Sequence, residues 1–223
     1  MKRVLTAVAV VLAMVAISAC DPIATPIPGR TSGGLGGPPT AVALTFDDGP
    51  NPTWTPQVLD ILDRYGVKAT FFVVGSEVAK YPDLARAIVA RGHSIASHTW
   101  SHARLTKLSQ QGMVDQLVGT NNIIRDATGY IVSCARPPYG STNDRVNNTI
   151  ASLNMRPALW SIDTRDWAGR NPAIFANSAP DSVILMHDGG GNRSLTVSAL
   201  PGLIEGLQAR GMEMTRVCDS RPG

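Results

Sequence analysis

The chain has 223 residues, 43% hydrophobic and 17% charged, with a formal charge of +3, a balance that excludes a disordered or supercharged chain. It is long enough for one sizeable domain and, with its N-terminal end set aside, too short for two. Without Lys2 and Arg3, 18 basic residues face 17 acidic ones; that leaves no electrostatic footprint for nucleic acid, and no apolar run is long enough for a polytopic membrane protein.

Lys2 and Arg3 precede an apolar stretch over residues 4–17, broken only by Thr6, and Ser18 and Ala19 follow. Charge, apolar core and small residues in that order read as an export signal over residues 1–19. Ile17-Ser18-Ala19-Cys20 resembles the lipobox of bacterial lipoproteins, in which the cysteine is acylated and holds the protein at a membrane surface. The expectation is an exported protein anchored to the cell membrane through Cys20 and facing the wall, with ordinary secretion as the alternative. Residues 20–40 are then a linker: ten of the eighteen residues from Pro22 to Pro39 are Gly or Pro, which makes an extended tether.

From Ala41 short apolar runs alternate with amphipathic segments. Strands are expected over residues 41–46, 68–74, 93–97, 130–135, 155–162, 182–186 and 212–217. Helices are expected over 56–64 with Thr55 as cap, from Ser76, from Pro82 to just before Gly92, from Ser109, over 143–153, and over 194–210 with a disturbance at Pro201 and Gly202. Strands alternating with helices argue one α/β domain with a parallel sheet, either a barrel or a doubly wound sheet. The barrel is favoured because every polar cluster follows the C-terminal end of a strand.

Those clusters are five. Asp47-Asp48 ends the first strand, where one carboxylate can ligate a metal while the other faces substrate; a plain Asp-Gly turn is the alternative. His98 and His102, four residues apart, share a face on a helical turn and can grip one ion, whereas His93 reads as a core histidine. Arg136-Pro137-Pro138-Tyr139-Gly140 is a stiff loop with a guanidinium at one end. Asp163 to Trp167 sets carboxylates beside a large apolar plate, and Leu185-Met186-His187-Asp188 puts a histidine at the end of a buried strand. Cys134 and Cys218 are left as either a disulfide or two separate buried thiols.

In order, TFDDGP, SHTWSH, RPPYG, DTRDW and LMH resemble the signature of polysaccharide deacetylases, the NodB-homology carbohydrate esterases of family four, over residues 41–219. The resemblance implies a distorted (β/α) barrel of parallel strands with the active site at their C-terminal ends. It implies a divalent metal, Zn2+ first among the candidates, held by Asp48, His98 and His102. Asp47 becomes the general base with Arg136 as its partner, and His187 the general acid with Asp166 as its partner. The Tyr139 backbone N–H becomes an oxyanion donor, and Trp167 and Leu185 line the slot for the acetyl methyl. The activity implied is removal of acetyl groups from N-acetylglucosamine units of a polysaccharide, peptidoglycan or chitin oligosaccharide, by a protein expected to be monomeric. Acetylxylan esterase is the alternative enzyme, and a non-catalytic glycan-binding lipoprotein the alternative outside catalysis.

Overall fold

The computed structural model describes residues 40–218 and 221–222. The expected export signal, Cys20 and the linker up to residue 39 lie outside the described residues, as does Asp219.

The chain opens with β1 (Ala41–Asp47), which has no exposed residue. It continues through α1 (Thr55–Arg64), β2 (Thr70–Val73), α2 (Gly75–Lys80), α3 (Pro82–Ala90) and β3 (Ser94–Ser97). Next come α4 (Gln110–Thr128), β4 (Tyr130–Ile131), β5 (Cys134–Ala135), α5 (Asp144–Ser152), β6 (Arg156–Pro157) and β7 (Ile162–Asp163). The last elements are β8 (Val183–His187), α6 (Ser194–Ala209), β9 (Glu213–Thr215) and β10 (Arg221–Pro222). The main sheet runs β6-β5-β3-β2-β1-β8-β7, with β9 added beside the start of β1. All its pairings are parallel, so every strand delivers its C-terminal end to the same rim. β4 and β10 make a separate antiparallel pair.

Apolar composition decides which strands lie innermost. β1, β2 and β8 read as near-continuous hydrophobic runs, as strands covered on both faces must; Leu44, Phe46, Phe71, Val73, Ile184 and Met186 are all buried. Phe46 and Phe71 stack across neighbouring strands with centroids 5.2 Å apart. α1 turns Val58, Leu59, Ile61 and Leu62 inward, and each such side chain contributes about 1.5–3 kcal/mol on burial. Ser109 and Asn143 cap α4 and α5 by accepting from the N–H groups of Gly112 and Val146, one of the orphan donors at each helix start.

The helix expected over 194–210 is α6, with Pro201 inside it. Three sequence expectations are corrected. Thr55 does not cap α1; it is the first helical residue, and its hydroxyl donates to Asp188 instead. The strand expected over 130–135 divides into β4 and β5, which join different sheets. The strand expected over 155–162 divides into β6 and β7, which lie at opposite edges of the main sheet. Residues 158–161 therefore cross from one edge to the other, taking bonds from both: the Ala158 N–H donates to Ala135 O and the Ser161 N–H to Val183 O. An apolar run shows burial but not which neighbour it pairs with, and here the neighbour changes midway.

Cys134 and Cys218 are joined in a disulfide, with Cα atoms 6.0 Å apart. It closes a loop of 84 residues, for which chain entropy gives about 4.6 kcal/mol. Among the described residues no helix is long and apolar enough to cross a membrane.

Candidate active site

Five non-glycine residues in the loops leaving β1, β3, β5 and β7 adopt left-handed φ: Asp48 (74°), Thr99 (67°), His102 (56°), Tyr139 (62°) and Arg165 (53°). Each costs about 1–2 kcal/mol and is held by its surroundings, a pattern that gathers at functional sites. Asp48 is fixed from below: a Cβ on Gly189 would collide with the Asp48 carbonyl, and one on Gly190 with its carboxylate. His98 and His102 do not share a helical turn. They lie on an irregular loop, and the left-handed residues Thr99 and His102 bring their rings to a centroid separation of 5.0 Å.

The result is a triplet. Asp48 Oδ1 lies 3.5 Å from His98 Nε2 and 3.2 Å from His102 Nε2. His98 Nδ1 sits 2.8 Å from the Arg136 carbonyl. A carbonyl only accepts, so Nδ1 carries the proton and neutral His98 presents a lone pair at Nε2. That lone pair faces Asp48 Oδ1, itself buried without a hydrogen-bond partner. Acceptors aimed at one another repel unless a cation sits between them. One carboxylate oxygen and two imidazole nitrogens, all within 4.8 Å of each other, suit a divalent metal and leave room for other ligands. Burial pushes the Asp48 carboxyl up, but the two imidazoles outweigh it and hold it well below the usual carboxylate range. Burial also lowers His102, against the pull of Asp48, which favours the neutral, ligating ring.

Beside the triplet, Asp47 is held by Arg136. The guanidinium is fully buried and donates from Nη1 to Asp47 Oδ1 at 2.7 Å and to Thr45 Oγ1 at 2.9 Å. Its Nε and Nη2 donate to Ala158 O and Leu159 O at 3.0 and 3.2 Å. Arg136 thus joins the central strand to the segment that crosses between the sheet edges. Asp47 Oδ2 remains 3.6 Å from His98 Nε2, on the side of the triplet.

Across the cleft, His187 is held by Asp166. Asp166 Oδ1 accepts from His187 Nδ1 at 2.7 Å and from the Trp167 N–H at 3.0 Å. Its Oδ2 accepts from the His187 N–H at 2.9 Å and from Thr196 Oγ1 at 2.7 Å. Burial lowers the His187 pKa, but the Asp166 hydrogen bond and charge overcome it and raise it overall. Asp166 is lowered in turn: its partners outweigh burial.

Between these groups lies a cleft of about 630 Å³, lined by Asp47, Asp48, His98, His102, Tyr139, Trp167, Leu185 and His187. Arg136 and Asp166 stand directly behind it, so every site residue expected on the domain converges here. Tyr139 and Trp167 are 59% and 56% exposed, two aromatic plates at the rim for an amphipathic ligand such as a sugar. Arg104 packs over the Tyr139 ring at 4.3 Å. Among the described residues the Tyr139 N–H has no hydrogen-bond partner. His93 is buried, accepts from the Ala69 N–H and packs edge-on against Phe71; burial first of all takes it down to about 4, so it is a core residue as expected, but it is not fully satisfied by hydrogen bonds, because its Nε2 has no partner among the described residues.

Sequence reasoning missed Trp160, Asn192 and Arg193, which also line the cleft, and Thr196 behind it, and gave no role to Asp188 in the cluster with His187. The run Gly189-Gly190-Gly191 after His187 is a legible signal of close backbone approach; a single threonine in a helix gives none. Asp188 is wholly buried, with Thr55 donating to its Oδ2 at 2.5 Å and its Oδ1 unpartnered. Burial above all pushes it up to about 7.

Comparisons with known proteins agree with this geometry. The family described as polysaccharide deacetylase matches residues 35–158. The chain is 39% identical to the peptidoglycan-N-acetylglucosamine deacetylase PgdA of Listeria monocytogenes, over 79% of this chain and 38% of that protein. It is 40% identical to a chitooligosaccharide deacetylase of Sinorhizobium fredii, over 80% of this chain and 89% of that one. Among solved structures, the Bc1960 peptidoglycan N-acetylglucosamine deacetylase superposes with a TM-score of 0.77 at 36% identity, covering 80% of this chain and 86% of that one. The chain therefore spans well under half the length of the Listeria relative and most of the length of the others. A curled sheet of parallel strands with a triplet of one aspartate and two histidines at its C-terminal rim defines the class, and the chain belongs to the polysaccharide deacetylase family.

Proposed function

We propose that this protein is a metal-dependent hydrolase that removes acetyl groups from N-acetylglucosamine units of a polysaccharide, peptidoglycan or chitin oligosaccharide. The observation that carries the reading is the convergence of three arrangements in one cleft: the Asp48–His98–His102 triplet, the Arg136–Asp47 pair and the Asp166–His187 pair. A solved relative from Bacillus anthracis, 30% identical with a TM-score of 0.74, is described as a pseudoenzyme, so the fold alone does not carry it. Asp47 and His187 do, because both are present and both are held in place by a charged partner.

Asp48, His98 and His102 would hold the cation, with Zn2+ first among the candidates. When bound, it would supply Lewis acidity, polarising the acetyl carbonyl and making water acidic enough to ionise near neutral pH. Asp47 takes the proton of the attacking water at Oδ2, while Arg136 keeps Oδ1 occupied and the carboxylate turned toward the cleft. The Tyr139 N–H donates to the carbonyl oxygen as it gains charge, and the two prolines before it fix that donor in advance. His187 keeps its Nδ1 proton on Asp166 and delivers the proton at Nε2 to the leaving nitrogen. Water is consumed, the C–N bond breaks, and acetate and a free amine leave. The raised pKa of His187 supports a protonated donor, which an amine leaving group requires. Trp167 and Leu185 close around the acetyl methyl.

Export and a lipid anchor at Cys20 belong to the same reading. The Cys134–Cys218 disulfide supports an oxidising compartment, and the composition of residues 1–19 supports export. Mass spectrometry of the mature N-terminus tests the anchor, and an unmodified terminus beyond Cys20 refutes it. A monomer is proposed, tested by light scattering. Acetate release from chitooligosaccharides, peptidoglycan and acetylxylan by the Zn2+-loaded protein tests the activity. Release from either amide substrate, stopped by a chelator, is expected. Release from acetylxylan alone would make this an esterase, and release from none would overturn the assignment.

A further inference from the structure

We infer that Thr196 is a positioning residue for the proton donor, acting on His187 through Asp166. The inference rests on the reading of His187 as the acid that protonates the leaving group. Thr196 lies in the first turn of α6 and is 1% exposed. In that first turn its hydroxyl has no helical carbonyl four residues earlier to turn back to, and it donates to Asp166 Oδ2 at 2.7 Å. Among the described residues only one other donor holds that oxygen, the His187 N–H at 2.9 Å. Without Thr196, Oδ2 keeps a single bond, and the carboxylate can shift about its Cβ–Cγ bond against only the His187 and Trp167 contacts that remain. Oδ1, which holds the His187 ring at Nδ1, turns with it. α6 thus sets the angle at which His187 presents Nε2 to the cleft, and it does so from a residue that is not part of the cleft lining.

Thr196→Val keeps the shape and removes the donor. An amide needs its nitrogen protonated as it leaves, whereas a nitrophenyl acetate expels a stable anion and needs little help from an acid. In the Zn2+-loaded protein, Thr196→Val is expected to lower kcat on chitopentaose about tenfold, the worth of one hydrogen bond to a charged group. KM should stay unchanged, and kcat on nitrophenyl acetate should stay within about twofold of wild type. Thr196→Ser is expected to restore the amide rate. Independently of turnover, the downfield proton resonance of His187 Nδ1–H should move upfield in Thr196→Val and return in Thr196→Ser. Equal losses on amide and ester, or an unmoved resonance, would overturn the inference. A wild type that releases no acetate from any substrate refutes the deacetylase reading instead, and the resonance still decides the role of Thr196.

Discussion

The two walls of the cleft are completed in different ways. On the His187 wall the contacts behind the ring close within the described residues: Asp166 accepts four hydrogen bonds, two on each oxygen, and only Nε2 is left to the cleft. On the Asp48 wall the chain brings acceptors together and stops, with Asp48 Oδ1 unpartnered against two imidazole nitrogens. One wall is a finished hydrogen-bond network, and the other is a socket. Half of such a site is therefore set by folding alone, while the other half has the donor set to take a cation from solution.

That contrast is open to attack from several directions, and the most drastic is removal of the socket. His98→Ala or Asp48→Asn should abolish metal retention in elemental analysis and reduce acetate release by at least about 10³-fold, while the His187 Nδ1–H resonance persists. Loss of that resonance together with the metal would mean that the walls are not independent. Next in size, His187→Ala should retain one equivalent of metal and lose about 10²–10⁴-fold in amide turnover, with a smaller loss on activated esters. Third, Arg136→Met leaves Asp47 buried beside a neutral side chain. Breaking a buried pair from one side costs about 3–5 kcal/mol, and urea denaturation should show it. A cost below about 1 kcal/mol would mean that Arg136 does not hold the crossing segment 158–161 in place.

The last test, whose figure is an upper bound, concerns Asp188, beneath the socket. Its pKa in the fold, about 7, lies above the ordinary 3.8, so the folded state binds the proton more tightly than the unfolded chain does. By linkage, the stability it contributes is full below about pH 4 and is lost as pH rises towards 7. The change over that window is of order 4 kcal/mol, an upper figure because neighbouring carboxylates with depressed pKa values act in the opposite sense at its acid end. Asp188→Asn, which keeps an acceptor for Thr55, should flatten the decline of unfolding free energy between pH 4 and 7. An unchanged slope would show that Asp188 is not the group responsible.

Much of the site was legible in the residues because its chemistry sits at strand ends. Asp47, His98, Arg136 and His187 each follow an apolar run, and that order already points to one rim. The supporting contacts were not legible. The crossing segment 158–161 looks like a continuous strand, because apolar periodicity reports burial and says nothing about which edge is paired. The His98–His102 spacing suggested a helical turn, whereas the rings meet through left-handed backbone at Thr99 and His102. No local pattern distinguishes those positions from ordinary loop residues. Thr55 looked like a cap and is instead a buried donor to Asp188, a partner 133 residues away.

The direction of β1 has a practical consequence. The strand enters at Ala41 and delivers Asp47 to the rim, so the point of entry and the cleft lie about 20 Å apart, at opposite ends of a seven-residue strand. A handle or resin fused directly to Thr40 would therefore join the domain at the end away from the cleft, leaving that opening accessible to bulky insoluble material.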